Sequence, residues 1–251
     1  MASLFDLSGR TAIVTGANTG IGQGIAVALA SAGASIVGVG RSSMAETAAL
    51  VREQSAAFHA IEADLASTAP IADLVAEALR VFGSIDILVN NAGMIRRADA
   101  ADFTEADWDA VMNVNLKTLF FLSQAVGRFM LAKGRGKIIN IASMLSFQGG
   151  VRIPAYTASK SGVAGLTRLL ACEWAGRGVN VNAIAPGYFE TNNTATLRED
   201  PERSAAILGR IPAGRWGKPA DIAGAAIFLA SSASDYVHGT ILPVDGGWLA
   251  R

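Results

Sequence analysis

The sequence predicts one α/β domain, a doubly wound parallel sheet flanked by helices, and three observations predict it. Short apolar, β-branched runs alternate with longer helical stretches along the whole chain, the pattern of repeated strand–helix–strand units. No linker, repeat or shift of composition divides the 251 residues, so the expected domain spans 1–251. Turns rich in glycine or amides stand where several apolar runs end, which in open α/β sheets is the side that binds ligands. Apolar residues make up 51% and charged ones 17% of the chain, which suits a compact core with surface left for subunit contacts.

Thr11–Thr15 reads as a buried strand and residues 23–32 as a helix, with strand type assigned from the uninterrupted apolar run. Between them lies Gly16-Ala17-Asn18-Thr19-Gly20-Ile21-Gly22. A glycine-rich turn between strand and helix lets backbone approach a pyrophosphate, whose charge the helix N-terminus favours. All of Gly16, Asn18, Thr19, Gly20, Ile21 and Gly22 are therefore candidates for binding a dinucleotide. A second strand, 35–40, ends in Gly40-Arg41. An acidic residue near this point takes the ribose hydroxyls of NAD, whereas an arginine accommodates the 2′-phosphate of NADP; Arg41 is either that arginine or a solvated loop charge.

A helix over 44–54, a strand over 58–62 and the pair Asp64-Leu65 follow. Asp64 sits past the carboxyl end of its strand, where it either meets an adenine amino group or caps a turn. A helix over 71–82 leads to a strand over 85–89 and to Asn90-Asn91-Ala92-Gly93, amides able to bridge neighbouring strands beside a cofactor. Thr104-Glu105-Ala106-Asp107 starts one long helix reaching about residue 133, with a capping signal at its head. Inside it, Asn115 interrupts an apolar stretch, and a buried amide must pair with backbone or hold a water.

The strand 137–142 delivers Ser143, and Pro154 marks the first turn of the next helix, a position where its missing N–H costs nothing. Tyr156 and Lys160 then lie one turn apart on one face. A cation beside a phenol favours phenolate and lowers its pKa, suiting a general acid or base, while Ser143 could hydrogen-bond an oxygen on which charge develops. A strand over 179–185 ends in Pro186-Gly187-Tyr188-Phe189-Glu190-Thr191; the polar stretch 192–215 suits a mobile lid, and a helix over 219–230 and a strand over 240–244 close the chain.

Taken together, Thr15-Gly16-x-x-x-Gly20-x-Gly22, Asn90-Asn91-Ala92-Gly93, Asn115, Ser143, Tyr156-x-x-x-Lys160 and Pro186-Gly187 resemble the short-chain dehydrogenase/reductase family over essentially the whole chain. The resemblance implies a Rossmann-type fold and reversible hydride transfer between a secondary alcohol and nicotinamide. It assigns acid/base work to Tyr156, substrate orientation to Ser143, ribose binding and pKa control to Lys160, and a water-holding role in a proton relay to Asn115. Cofactor contacts would come further from Asp64, Leu65, Asn91, Ala92, Gly93, Pro186, Gly187, Phe189 and Thr191, with no metal. A homotetramer built on pairs of long helices is the family's usual assembly, often with the C-terminal tail near an interface.

Within the family, the segments around Arg96-Arg97, Ser143–Gly150, Thr191-Asn192-Asn193, 210–217 and 245–251 resemble the hexonate branch, which acts on deoxy sugar acids and mostly uses NAD. NAD is thus the expected cofactor and NADP the alternative. A sugar acid needs a cation for its carboxylate, and arginine binds carboxylates with two parallel bonds. Arg96, Arg97 and Arg152, with Gln148, Ser143 and Tyr156, are the candidates on the substrate side. Other ketones (a 3-oxoacyl thioester, a neutral sugar, a cyclic ketone) and a non-catalytic nucleotide sensor stand as alternatives.

Lysine plus arginine balance aspartate plus glutamate at 21 each, which gives no pull toward nucleic acid or anionic membrane. The single cysteine, Cys172, excludes an intrachain disulfide. His59 at a strand end and His238 in a loop are read as structural. Residues 1–7 lack the basic and apolar regions of a leader, so a soluble, cytoplasmic protein is expected.

Overall fold

A computed structural model describes residues 3–251; Met1 and Ala2, the start of the stretch read above for a leader, lie outside it. Seven parallel strands form one sheet: β1 (Thr11–Thr15), β2 (Ser35–Gly40), β3 (Phe58–Glu62), β4 (Ile87–Asn90), β5 (Gly136–Ile141), β6 (Val179–Pro186) and β7 (Ile241–Val244). Their spatial order is β3-β2-β1-β4-β5-β6-β7. The order reverses between β1 and β4, which places the ligand crevice at the carboxyl ends of those two strands.

The helices are α1 (Gly20–Ser31), α2 (Ala45–Glu53), α3 (Ile71–Phe82), α4 (Glu105–Met112), α5 (Leu119–Lys133), α6 (Pro154–Trp174), α7 (Ala195–Glu199), α8 (Pro201–Leu208) and α9 (Ala223–Ala230). On one sheet face Ile25, Leu29, Val51 and Leu229 from α1, α2 and α9 pack with Val14, Ile36 and Ile139. On the other, Leu74, Leu122, Val126, Leu170 and Trp174 from α3, α5 and α6 pack with Ile13, Val37 and Ile138. β1 and β6 are buried along their whole length; β1 answers this with an unbroken run of apolar and β-branched residues, and in β6 the buried Asn180 and Asn182 donate to backbone carbonyls between Ser234 and Val237.

Several bounds shift by one or two residues, the expected helix 219–230 is a 3-10 turn, Pro219–Ile222, followed by α9, and two differences bear on the site. The helix after the glycine turn begins at Gly20, not at residue 23, because the glycines belong to its first turn. The expected uninterrupted helix from 104 to 133 contains a π-helical segment, Asn113–Thr118, between α4 and α5. Such a widened turn carries one extra residue and turns the following side chains, and Asn115 sits inside it.

Among the described residues no helix is long and apolar enough to cross a membrane.

Candidate active site

The glycine turn at the end of β1 is shaped for a charged ligand. Gly16 has φ +65°, a left-handed conformation that favours glycine,. A Cβ on Gly22 would run into the Gly16 carbonyl and the Asn91 amide. Thr19 precedes α1 in extended conformation and its side chain makes no cap, so the first N–H groups of this twelve-residue helix are left for an anion. Asn91 braces the turn: its Nδ2 donates to the Thr15 and Gly16 carbonyls at 2.9 and 3.3 Å. Thr15 Oγ1 in turn accepts the Asn91 and Ala92 N–H groups at 3.0 and 2.9 Å. That role for Thr15 was not visible in the sequence, where it figured as the last residue of a strand and the first of the glycine motif.

At the ends of β2 and β3 the chain presents mainly donors. Asn18 Nδ2 donates to Ser42 Oγ at 2.8 Å, and Arg41 stands 4.0 Å from the Asp64 carboxylate with both side chains largely exposed. Asp64 Oδ1 also accepts the Ala66 N–H at 3.0 Å, a turn-capping bond, while the carboxylate stays exposed. Leu65 is buried. No carboxylate ends β2, and the place of a side chain on Gly40 faces Asn18.

Deeper in, two amides tie the central strands together. Asn90 Nδ2 donates to Asn140 Oδ1 at 2.9 Å and to Ser123 Oγ at 2.8 Å, and Asn140 Nδ2 donates to Thr167 Oγ1 at 2.9 Å. Asn115 is fully buried. Its Oδ1 accepts the Met94 N–H at 2.8 Å, and its Nδ2 donates to the Met94 carbonyl at 2.9 Å and to Ser159 Oγ at 3.2 Å. The amide thus pairs with backbone on both sides and clamps the loop after β4 to the π segment.

Ser143 follows β5 in extended conformation and opens a one-turn 3-10 helix, Met144–Ser146. Its Oγ accepts the Leu145 N–H at 3.2 Å, leaving the hydroxyl proton free to face the crevice. Lys160 Nζ donates to the Ile141 carbonyl at 2.6 Å, which fastens α6 to the end of β5. It lies over the Tyr156 ring, 5.6 Å from the centroid. The electrostatics differ from the sequence expectation. Burial pushes the Tyr156 phenol up, and the opposing downward pulls come from the Ser143 hydroxyl and the Arg97 charge. Burial also lowers Lys160 to about 8, because removing an ammonium from water disfavours its charged form.

The segment after β6 packs against the C-terminal tail. Tyr188 packs edge-on against Trp216 and Trp248, with centroids 5.5 and 4.8 Å apart. Arg210 stacks over Trp248 at 4.1 Å. Trp248 Nε1 donates to Gln148 Oε1 at 3.2 Å, so the tail holds that expected substrate residue. The three arginines are not equivalent. Arg96 pairs with Asp107 at 3.2 Å and Arg152 with Asp99 at 3.1 Å, all four side chains being partly exposed. Arg97 instead donates to the Asn193 carbonyl at 3.0 Å.

Near the glycine turn, a Cβ on Gly20 would lie 3.4 Å from the Thr191 methyl, so the segment after β6 passes close to the turn. Phe189 is buried in the core and bridges to Gly217, so only its backbone is available to a ligand. Gly187 donates its N–H to the Val244 carbonyl at 3.0 Å.

An anion-binding turn at the sheet's reversal point, facing a serine, a tyrosine and a lysine, defines a nucleotide-dependent oxidoreductase site. Comparison with known proteins agrees: the family profile described as enoyl-(acyl carrier protein) reductase matches residues 16–249. The chain belongs to the short-chain dehydrogenase/reductase family. It is 59% identical over 250 residues to the 2-dehydro-3-deoxy-D-gluconate 5-dehydrogenase of Escherichia coli (strain K12), covering 99% of each chain. A solved Agrobacterium tumefaciens structure with bound NADP, provisionally named 2-deoxy-D-gluconate 3-dehydrogenase, is 58% identical with TM-score 0.92 and full coverage of both chains. The gluconate 5-dehydrogenase of Burkholderia cenocepacia J2315, solved with NADP and tartrate, is 44% identical with TM-score 0.94 over 98% of each chain.

Proposed function

We propose that this protein interconverts a secondary alcohol and a ketone on a deoxy sugar acid. The reaction is of the 2-dehydro-3-deoxy-D-gluconate 5-dehydrogenase or 2-deoxy-D-gluconate 3-dehydrogenase type. The observation that carries the reading is identity of 59% across the full length of such a dehydrogenase, combined with an assembled Ser143, Tyr156 and Lys160. The turn Gly16 to Gly22 would hold the pyrophosphate of a nicotinamide dinucleotide, Asp64 and Leu65 would flank its adenine, and Lys160 its ribose. The carboxamide would meet backbone between Pro186 and Phe189 and the Thr191 hydroxyl. Bound nicotinamide supplies the acceptor or donor of two electrons.

The chain's own residues handle the proton. Ser143 donates to the substrate oxygen and orients it. Tyr156 takes the hydroxyl proton during oxidation and returns it to the oxygen during reduction. The Ser143 hydroxyl and the Arg97 charge oppose, without outweighing, the cost that burial imposes on phenolate,. Asn115 keeps the loop after β4 in place beside this set, and its neighbour Ser159 bonds the Tyr156 carbonyl at 2.8 Å.

For the cofactor, the donor ledge of Asn18, Arg41 and Ser42 and the lack of a carboxylate on β2 favour NADP over the NAD expected first. A functional assembly as a homotetramer in the cytoplasm completes the reading. The test is oxidation of 2-dehydro-3-deoxy-D-gluconate followed at 340 nm with NAD and NADP in parallel, on wild type and Tyr156→Phe. Turnover is expected with a preference for NADP, and the variant is expected to lose roughly 10²- to 10⁴-fold in rate while still binding cofactor. Absence of wild-type turnover with either cofactor overturns the substrate assignment.

A further inference from the structure

On the inner faces of α5 and α6, Ser123 and Thr167 each donate to the carbonyl four residues back, at 2.8 Å. That bond is a common outlet for a buried hydroxyl in an α-helix. Thr118, the last residue of the π segment, is as buried as they are, yet its Oγ1 has no partner among the described residues. The widened turn shifts the ladder away from i−4 pairing, and with it the carbonyl that serves Ser123 and Thr167. A hydroxyl withdrawn from water without a partner costs free energy.

Thr118 lines a small cavity of about 10 Å³ at the carboxyl ends of β1 and β4, together with Thr15, Asn90, Leu65, Val114 and Leu122. One water takes about 10–15 Å³ of such space and needs at least two polar partners. Thr15 is not one of them: its Oγ1 donates to the Val89 carbonyl at 3.3 Å and accepts the Asn91 and Ala92 N–H groups. Asn90 spends both amide hydrogens on Ser123 and Asn140, and its Oδ1 accepts no bond among the described residues. Two polar atoms on opposite elements, Thr118 Oγ1 and Asn90 Oδ1, are therefore left for one site.

We propose that this cavity binds a single water, which Thr118 Oγ1 and Asn90 Oδ1 hold between the π segment and the end of β4. It is separate from any water of a proton relay, because Asn115, Tyr156 and Lys160 do not line the cavity and Asn115 faces Met94 and Ser159. The water anchors the far end of the segment that carries Asn115 to a central strand. Leu65 and Ala92 also line the cavity, so the water stiffens the floor on which the adenine of the dinucleotide would rest; this last step alone depends on the cofactor reading above.

Three measurements test it. A high-resolution crystal structure is expected to show a water within hydrogen-bond distance of Thr118 Oγ1 and Asn90 Oδ1, and Thr118→Val is expected to lose it; a dry cavity in wild type overturns the proposal. Thr118→Val keeps the shape of the side chain and removes the hydroxyl. It should melt below wild type, because the Asn90 oxygen loses its partner with the water. A variant that melts above wild type overturns the proposal, since relieving a hydroxyl that had no partner is stabilising. In titrations with NADP, Thr118→Val should weaken affinity by roughly 2- to 10-fold, as for one neutral hydrogen bond, and Thr118→Ser, which keeps the hydroxyl, should restore most of it. Unchanged affinity beside a lowered melting temperature overturns the link to the crevice floor. A wild type that binds neither NADP nor NAD overturns the cofactor reading, while the crystal and melting results still decide the water.

Discussion

Lys160 is nearly fully buried and its ammonium has one carbonyl partner. With a folded value of about 8 against an ordinary 10.5, the native state disfavours the proton that the unfolded chain keeps. Stability therefore rises with pH between about 8 and 10.5, where the unfolded chain binds the extra proton, and the penalty is fully present at pH 7. Replacing Lys160 by Met removes the charge but leaves the Ile141 carbonyl without its donor. The net gain expected for the cofactor-free protein at pH 7 is on the order of 2 kcal/mol. Thermal unfolding at pH 7 and pH 10.5 checks this: Lys160→Met should melt higher than wild type at the lower pH, the gap should close at the higher one, and turnover should be lost at both. The one-turn spacing of Tyr156 and Lys160 was legible because helix periodicity is a property of sequence. The direction of the tyrosine shift was not, since it is set by how completely the phenol is buried, against the opposing pulls of Ser143 and of Arg97, 59 positions away.

At the scale of elements, strands were legible where both faces are covered, as in β1 and β2, whose bounds coincide with their apolar runs; the edge strand β3 is only partly covered. The π segment was not legible, because a change of hydrogen-bond partner from i−4 to i−5 leaves no mark in composition; Asn115 was the only hint of it. Nor was the seam between the tail and the loop after Ser143. Trp248 and Gln148 lie 100 residues apart and meet only because β7 lies next to β6 and β6 next to β5. That seam can be separated into its bond and its packing. Trp248→Phe keeps an aromatic ring against Tyr188 and removes the Nε1 donor, so it should cost about 1 kcal/mol of stability. It should also raise KM for the sugar acid several-fold through a freed Gln148, with NADP affinity unchanged. Trp248→Ala empties a buried site and should cost about 3–5 kcal/mol. Thermal melts of both variants, read beside KM, distinguish a tail that positions Gln148 from one that only packs: in the second case Trp248→Phe leaves KM unmoved.

For the molecule as a whole, the doubly wound sheet leaves one outer layer unusually apolar. Trp108 on α4, Phe121 and Phe129 on α5 and Leu169 on α6 are each at least 40% exposed, although these helices bury their other faces well. Phe121 and Phe129 are eight residues apart, a little over two helical turns, and so fall on neighbouring sides of α5. Large apolar side chains scattered singly need no explanation, but several on one layer mark a contact surface. These residues are expected to meet their counterparts in a second copy, pairing the long helices in the homotetramer proposed above. The assembly also bears on the site, because α5 and α6 carry Ser123, Thr167, Tyr156 and Lys160 on their inner faces, and packing from outside restrains the same helices. A Phe121→Glu, Phe129→Glu double variant places like charges against each other across such a pair. Light scattering is expected to show wild type at four times the chain mass and the variant at two or one. Loss of turnover in step with the mass, at unchanged secondary structure by circular dichroism, would tie catalysis to assembly. A wild type that scatters as a monomer, or a variant that keeps the full mass, would remove this layer as the interface and leave its exposed aromatics to another partner.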